Sequence, residues 1–84
     1  MVTVRFFAGI REQLGCDCIE LPWSDSVATL AALERELIDS RGPDWQRALG
    51  QENLIRAINQ CVTQPGALVR DGDEVAFYPP VTGG

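Results

Sequence analysis

The sequence contains neither histidine nor lysine among its 84 residues. Histidine is the side chain best suited to proton transfer near neutral pH and is the commonest metal ligand, so its absence argues against acid–base catalysis and a metal centre. Without lysine the chain cannot form a Schiff base or accept an isopeptide link on a side chain. These absences argue against an independent active site, and we predict that the chain binds no metal and no cofactor.

Cysteines and long apolar runs are also scarce. Three cysteines are an odd number and do not form a disulfide framework, which favours reduced thiols in a reducing compartment. No apolar run approaches the roughly 20 residues of a membrane span, and no signal-peptide core is present. The net charge of −5, with scattered arginines, argues against nucleic acid and membrane surfaces as partners. We therefore predict a cytoplasmic protein whose partner is another protein.

What is present is the pattern of one small folded domain, with 45% hydrophobic residues. Alternating apolar residues predict strands over residues 2–8, 17–21 and 74–78. Strand character returns over residues 54–59, and residues 61–69 read as a short edge strand or loop.

The main helix is predicted from four apolar residues at helical spacing: Val27, Leu30, Leu33 and Leu37. Ser26 is the expected N-cap, and Gly42–Pro43 should end the helix near Arg41. A helical turn over residues 10–14 that stops at Gly15, and a second short helix opened by Pro43, complete the pattern. One main helix packed on one face of a small mixed sheet is an α+β design of β-grasp type.

A group of apolar residues is expected on the face of the sheet opposite that helix. If Val4 and Phe6 face the helix, Phe7 points the other way, and in the last strand Ala76 and Tyr78 do the same. In a β-grasp sheet the first and last strands are neighbours, so these three residues form one patch. Contiguous exposed apolar surface that contains aromatic residues marks a partner interface, whereas the alternative is that a short helix or loop covers it.

The last residues, Pro79 to Gly84, suggest a projecting arm. Pro79 and Pro80 cannot continue a strand ladder, so we expect a domain over residues 1–80 and an extended tail over residues 81–84, made of Val81, Thr82, Gly83 and Gly84. A terminal residue without a Cβ lets a nucleophile or nucleotide approach its carboxyl carbon closely. The sequence therefore presents the Gly84 carboxylate as a candidate reactive group, although a frayed glycine-rich end is the simpler alternative.

Two clusters of side chains are weaker candidates. Cys16 and Cys18, with Cys61 far along the chain, do not have the spacing of a zinc site, and nothing nearby marks Cys18 as a reactive thiol. The carboxylates of residues 71, 73 and 74 surround a glycine turn, where such groups are most often solvated turn formers.

Several motifs together resemble the family of molybdopterin synthase small subunits, which are ubiquitin-like β-grasp sulfur carriers. They are the segment 1–9 with Phe6-Phe7-Ala8, then Arg11-Glu12, Leu14-Gly15 and Ala57-Ile58-Asn59-Gln60, and finally the long segment from Asp71 to Gly84. The resemblance runs from end to end and is weakest in the main helix and in residues 42–52. Tyr78 stands where phenylalanine is also seen.

This resemblance implies a cycle carried by Gly84. An ATP-dependent adenylating enzyme activates its carboxylate, a sulfur donor protein displaces AMP to leave a thiocarboxylate, and the sulfur passes to cyclic pyranopterin monophosphate. The chain is then not catalytic alone, because the large subunit of the synthase supplies the catalytic groups and ATP is used by the activating enzyme. The resemblance also implies partner contacts from Phe7, Val62 and Tyr78. Together with Ala76 of the expected patch and the stem residues Pro79 and Pro80, they make up the predicted partner interface.

Other functions remain open at this point. Sulfur carriers for thiamine synthesis or tRNA thiolation share the fold and the Gly-Gly ending, and a ubiquitin-like protein modifier does so as well. A plain binding module with a frayed end is the third alternative.

Overall fold

The computed structural model describes residues 1–80. The elements in chain order are β1 (Val2–Phe6), α1 (Ala8–Leu14), β2 (Cys18–Leu21), a 3₁₀ turn (Asp25–Val27), α2 (Leu30–Arg41), α3 (Pro43–Leu49), β3 (Ile55–Ile58), β4 (Cys61–Thr63) and β5 (Glu74–Tyr78). In this part of the chain no helix is long and apolar enough to cross a membrane. The four predicted tail residues, 81–84, lie outside the described residues.

The strands of residues 1–80 form one five-stranded mixed sheet in the order β2-β1-β5-β3-β4. β1 and β5 run parallel, with Val4 opposite Val75, and the other neighbouring pairs are antiparallel. β5 is therefore the central strand, and the first and last strands are neighbours, as the sequence predicted. The α+β, β-grasp prediction is confirmed.

The core lies between one face of the sheet and α2. Val4 and Phe6 of β1 and Val75 and Phe77 of β5 are at most 1% exposed, because alternate strand residues point to the same side. From α2, Leu30, Leu33 and Leu37 are fully buried against them. Burying a side chain of this size contributes roughly 1.5–3 kcal/mol, so these residues stabilise the fold strongly.

An aromatic cluster closes the core beneath α3. The ring of Phe6 meets Trp45 edge-on at a centroid distance of 5.3 Å and stacks on Phe77 at 6.0 Å. Pro43 begins α3 because its fixed φ suits the first helical position, where its missing N–H costs nothing. The predicted short helix thus contributes its buried residues Trp45, Ala48 and Leu49 to the core.

The start of the main helix differs from the prediction. Ser26 is not its N-cap: α2 begins at Leu30, and the Oγ1 of Thr29 accepts a hydrogen bond of 3.1 Å from the N–H of Ala32. Residues 25–27 form a separate 3₁₀ turn, capped by Ser24. Val27 lies before the helix but is only 3% exposed. Because it is buried like the apolar residues of α2, the sequence pattern predicted a helix that starts one turn too early.

The C-terminal ends of α1 and α2 lie where the sequence predicted them. α1 ends at Gly15, whose φ of 70° is the left-handed conformation that glycine adopts without a Cβ clash. α2 ends at Arg41, and the N–H of Gly42 donates to the carbonyl of Ile38.

A half-buried ion pair connects α2 to β3. The Nε of Arg56 donates to Glu34 Oε2 at 2.5 Å, and its Nη2 donates to Oε1 at 2.9 Å. Glu34 is 8% exposed, so its charge depends on this two-bond contact. The hydrogen bonds that Arg56 donates to the Glu34 carboxylate raise the pKa of Arg56 above its ordinary value. The pair therefore fixes the helix over the sheet at the β3 side.

Candidate docking face and stem

The stem of the predicted tail leaves from the centre of the sheet. β5 is hydrogen-bonded to β1 on one side and to β3 on the other, and Pro79 follows it directly. Proline lacks the N–H that a central strand needs, so the ladder stops at Tyr78. Both Pro79 and Pro80 are half-buried. Rigid pairing on two sides thus fixes where the chain departs.

An aromatic stack lies at this point on the face away from α2. The rings of Phe7 and Tyr78 stack with centroids 4.6 Å apart and an interplanar angle of 8°. Ile55 pairs with Tyr78 across β3 and β5, so it lies on the same face of the sheet. All three side chains are half-buried. They form an apolar row beside the stem.

The next row of the same face contains smaller side chains. Ala76 pairs with Arg5 on one side and with Ala57 on the other, and Ala57 in turn pairs with Val62. Ala76 is 5% exposed and forms the floor of the face, whereas Val62 is 75% exposed. We call the residues Phe7, Ile55, Val62, Ala76 and Tyr78 the outer patch.

The structure thus brings together the residues that the sequence nominated for a partner interface. Phe7, Ala76, Tyr78, Val62 and the two stem prolines lie on one face and at one end of it. No helix or loop covers the most exposed member, Val62, although the low exposure of Ala76 limits its direct contact with a partner.

Two residues of this face were missed at the sequence level. Ile55 stands opposite Tyr78, which only the register of β3 against β5 reveals. Arg5 places its guanidinium carbon 5.8 Å from the centroid of the Phe7 ring and its Nη1 3.7 Å from Glu74 Oε2. A cation over an aromatic ring is a favourable arrangement. The outer patch therefore has a positive group at its edge.

The cysteines do not converge on this face. Cys18 and Cys61 are exposed on β2 and β4, the two edge strands, while Cys16 is half-buried against the core. Burial raises the pKa of the Cys16 thiol above its ordinary value, which makes the thiolate scarcer at neutral pH. Within residues 1–80 no group of three or more potential metal-ligating side chains is close enough to hold an ion.

The acidic turn before β5 uses its carboxylates internally. Asp71 pairs with the N-terminal ammonium group of Met1. Asp73 accepts hydrogen bonds from Asn59 Nδ2 at 3.0 Å and from the N–H of Arg70 at 2.8 Å. These contacts agree with the interpretation as turn formers.

A groove away from this face lies between α2, α3 and β3. It has a volume of about 380 Å³ and contains the Glu34–Arg56 pair, with Arg35, Gln46 and Gln51 at its sides. Its two most buried polar groups, Glu34 and Arg56, are hydrogen-bonded to each other, so only the side chains at the rim are left to bind a ligand.

The fold and this face define a ubiquitin-like β-grasp protein with an open apolar patch at the root of its C-terminal segment. Residues 4–84 match the ThiS family model, and the chain belongs to the ThiS family.

Curated relatives match over the whole chain. The chain is 45% identical to the molybdopterin synthase sulfur carrier subunit of Haemophilus influenzae and 40% identical to that of Escherichia coli, and each alignment covers 100% of both chains.

Solved structures are similar in fold. SAMP1 from Haloferax volcanii has a TM-score of 0.75 at 22% identity, covering 99% of this chain and 98% of that one, a likeness that shows the fold alone. A chain in the protein–protein complex of subunits 1 and 2 of molybdopterin-converting factor from Helicobacter pylori is also similar. That match has a TM-score of 0.66 at 26% identity, covering 99% of this chain and 97% of that chain.

Proposed function

We propose that this chain is the sulfur carrier subunit of a molybdopterin synthase and acts in molybdenum cofactor biosynthesis. The observation that carries the proposal is the end-to-end relationship, at 40–45% identity, to curated subunits of that name. The absence of histidine and lysine is consistent with a subunit that carries a group while another protein supplies the catalytic side chains.

The reactive group in this proposal is the carboxylate of Gly84. An ATP-dependent enzyme transfers AMP to it with release of pyrophosphate, and sulfide-level sulfur released by a sulfur donor protein then displaces AMP to give a thiocarboxylate. The adenylate is needed because a carboxylate is a poor acceptor, and AMP is a good leaving group. The thiocarboxylate sulfur is donated to cyclic pyranopterin monophosphate. ATP is bound by the activating enzyme, and this chain needs no cofactor of its own.

The partner in this proposal is the large subunit of the synthase, which docks on the outer patch. Support comes from the position of the patch: Phe7 and Tyr78 lie beside the stem, so a protein that covers them also receives the tail, residues 81–84. Aromatic residues in such patches contribute much of the binding energy of protein interfaces. The proposal places the reaction in the cytoplasm, where three unpaired thiols persist.

The test is intact-mass analysis of the full chain with its native C-terminus. The protein is incubated with ATP, the adenylating enzyme and a sulfur source, and then with the large subunit and cyclic pyranopterin monophosphate. We expect exchange of one oxygen for sulfur at Gly84, followed by return to the original mass as molybdopterin forms. The matched control is the chain that lacks Gly84, which should fold and bind the large subunit but gain no sulfur.

The outcomes separate the remaining alternatives. Sulfur loading without transfer to the pterin indicates a carrier for another pathway, such as thiamine synthesis or tRNA thiolation. Adenylation followed by attachment to lysines of other proteins indicates a modifier. Normal molybdopterin formation by the chain without Gly84 excludes the carrier mechanism.

A further inference from the structure

We propose that Phe7 is a positioning residue for sulfur transfer, which rests on the function proposed above. Its ring holds Tyr78 in one orientation and thereby sets the direction in which the Pro79–Pro80 stem leaves the sheet. The role is distinct from that of a docking contact, because it acts on the geometry of the arm after the partner has bound.

The backbone holds Phe7 in place from both sides. Its N–H donates to the carbonyl of Phe77 at 3.1 Å, which extends the β1–β5 pairing by one residue. The next residue, Ala8, has a φ of 51°, the left-handed region that an alanine adopts at a cost. This turn brings the chain into α1 and places Ile10 in the core at 0% exposure.

Ala8 differs from the other non-glycine residues with positive φ among residues 1–80. Asn59 and Gln60 have φ of 50° and 71° and form the two-residue turn between β3 and β4, where a type I′ geometry requires positive values. Asn53 has a φ of 62°, which asparagine tolerates well. Ala8 follows no hairpin, and strained positions of this kind are maintained where the surrounding structure requires them.

The stack transmits this position to the stem. Phe7 and Tyr78 are nearly coplanar, 4.6 Å apart, and Arg5 lies over the Phe7 ring. Tyr78 immediately precedes Pro79, and a residue before proline is restricted to extended conformations. Proline then fixes its own φ near −65°, and here two prolines follow in succession. Restraint on Tyr78 is therefore carried along a stiff stem with few rotatable bonds.

Stem direction matters because group transfer depends on the placement of the reacting atom. A misplacement of about 1 Å far from the chemistry can lower a rate by about 100-fold. A stem that leaves the sheet in several directions delivers the thiocarboxylate to the acceptor only part of the time. A docking contact affects how much partner is bound, whereas a positioning residue affects the rate in the fully formed complex.

The experiment separates these two effects with three variants of the thiocarboxylated full chain. Phe7→Leu keeps the apolar contact and removes the stack, Phe7→Tyr keeps both, and Val62→Ala alters an exposed contact away from the stem. For each one, Kd for the large subunit and the single-turnover rate of molybdopterin formation at saturating large subunit are measured. Thermal melting confirms that each variant folds.

We expect Phe7→Leu to lower the saturating rate about tenfold, in addition to the weaker binding that follows from altering a residue of the outer patch. Phe7→Tyr should restore the saturating rate to within about twofold, and Val62→Ala should change Kd alone. An effect of Phe7→Leu on Kd only, or a loss with Phe7→Tyr equal to that with Phe7→Leu, would overturn the proposal. The wild-type chain in the same assay reports on the proposed function itself, since a failure there appears as no transfer by any variant.

Discussion

The two faces of the sheet show how one strand serves two purposes. In β5, Val75 and Phe77 point toward α2 and are fully buried, whereas Tyr78, on the opposite face, is half-buried against the single ring of Phe7. The inner face is packed by residues from three helices of the described chain, whereas the outer face contains the outer patch, with Ala57 and Arg5 beside it. Stability therefore depends on one face, and recognition is proposed for the other.

The difference in stability between the two faces is tested most strongly by truncating the two neighbouring aromatic residues of β5. Phe77→Ala removes a ring with 0% exposure that stacks on Phe6, and should cost about 3–5 kcal/mol of unfolding free energy. Tyr78→Ala should cost about 1 kcal/mol, since it loses mainly the stack with Phe7. Urea denaturation of both variants measures the difference. Equal losses would mean that the outer face contributes to the core.

The second prediction concerns the polar edge of the inner face. Arg56→Met leaves the Glu34 carboxylate, 8% exposed, without its partner and should cost about 3 kcal/mol. The double variant Glu34→Gln with Arg56→Met is the control and should recover part of that loss, because no unpaired charge remains. A double variant as unstable as the single one would assign the effect to lost packing.

The pH dependence of this pair follows from the raised pKa of Arg56. A pKa that is higher in the folded state gives stability that is fully present below the unfolded value and is lost only as the pH rises through the folded value. Both values lie in strongly alkaline solution for arginine. The contribution of Arg56 should therefore be constant across the neutral range, as unfolding free energies at several pH values would show.

The third prediction tests the outer face directly. Tyr78→Asp introduces a charge into the outer patch and should weaken binding to the large subunit by about 2 kcal/mol, roughly 30-fold in Kd. Leu68→Asp is the matched control, because Leu68 is 65% exposed and lies beside Thr29, outside the patch. Titration calorimetry measures both. Undiminished affinity of the Tyr78 variant would remove the patch from the interface.

The smallest predicted effect sharpens the description of α2. Thr29→Ala removes the side-chain oxygen that accepts from the N–H of Ala32 and should cost about 1 kcal/mol. Ser26→Ala should cost only a few tenths, because Ser26 lies in the 3₁₀ turn and does not cap α2. Thermal unfolding of the two variants compares them, and a larger loss for Ser26 would restore the original prediction.

Alternation and helix-ending signals made most of the fold predictable. The period of two in residues 2–6 and 74–78 assigned the inner and outer side chains correctly, since the pleat leaves no other choice. Glycine at positions 15 and 42 located two helix ends, because its conformational freedom suits a C-cap.

The features that could not be predicted from the sequence are set by tertiary contacts. The start of α2 was misplaced because Thr29 and Ser26 are both good caps, and the choice is set by backbone contacts of Ala28, Thr29 and Leu30 with residues 67–69, which the local sequence does not show. The tight turn between β3 and β4 was not recognised, since Asn59-Gln60 lacks the glycine that usually marks it. Ile55 joined the outer patch only through the register of β3 on β5.

The central position of β5 has a consequence for how the chain is made. β1 and β3 do not pair with each other, and each forms hydrogen bonds with β5 instead. The ribosome produces β5 after every other strand of the sheet. The contacts that unite the two halves of the sheet therefore span most of the sequence, and such non-local pairing forms slowly. The stem is placed at its site only by the step that also completes the sheet. A nascent or incompletely folded chain accordingly lacks the two-sided strand pairing that fixes where Pro79 and Pro80 leave the sheet.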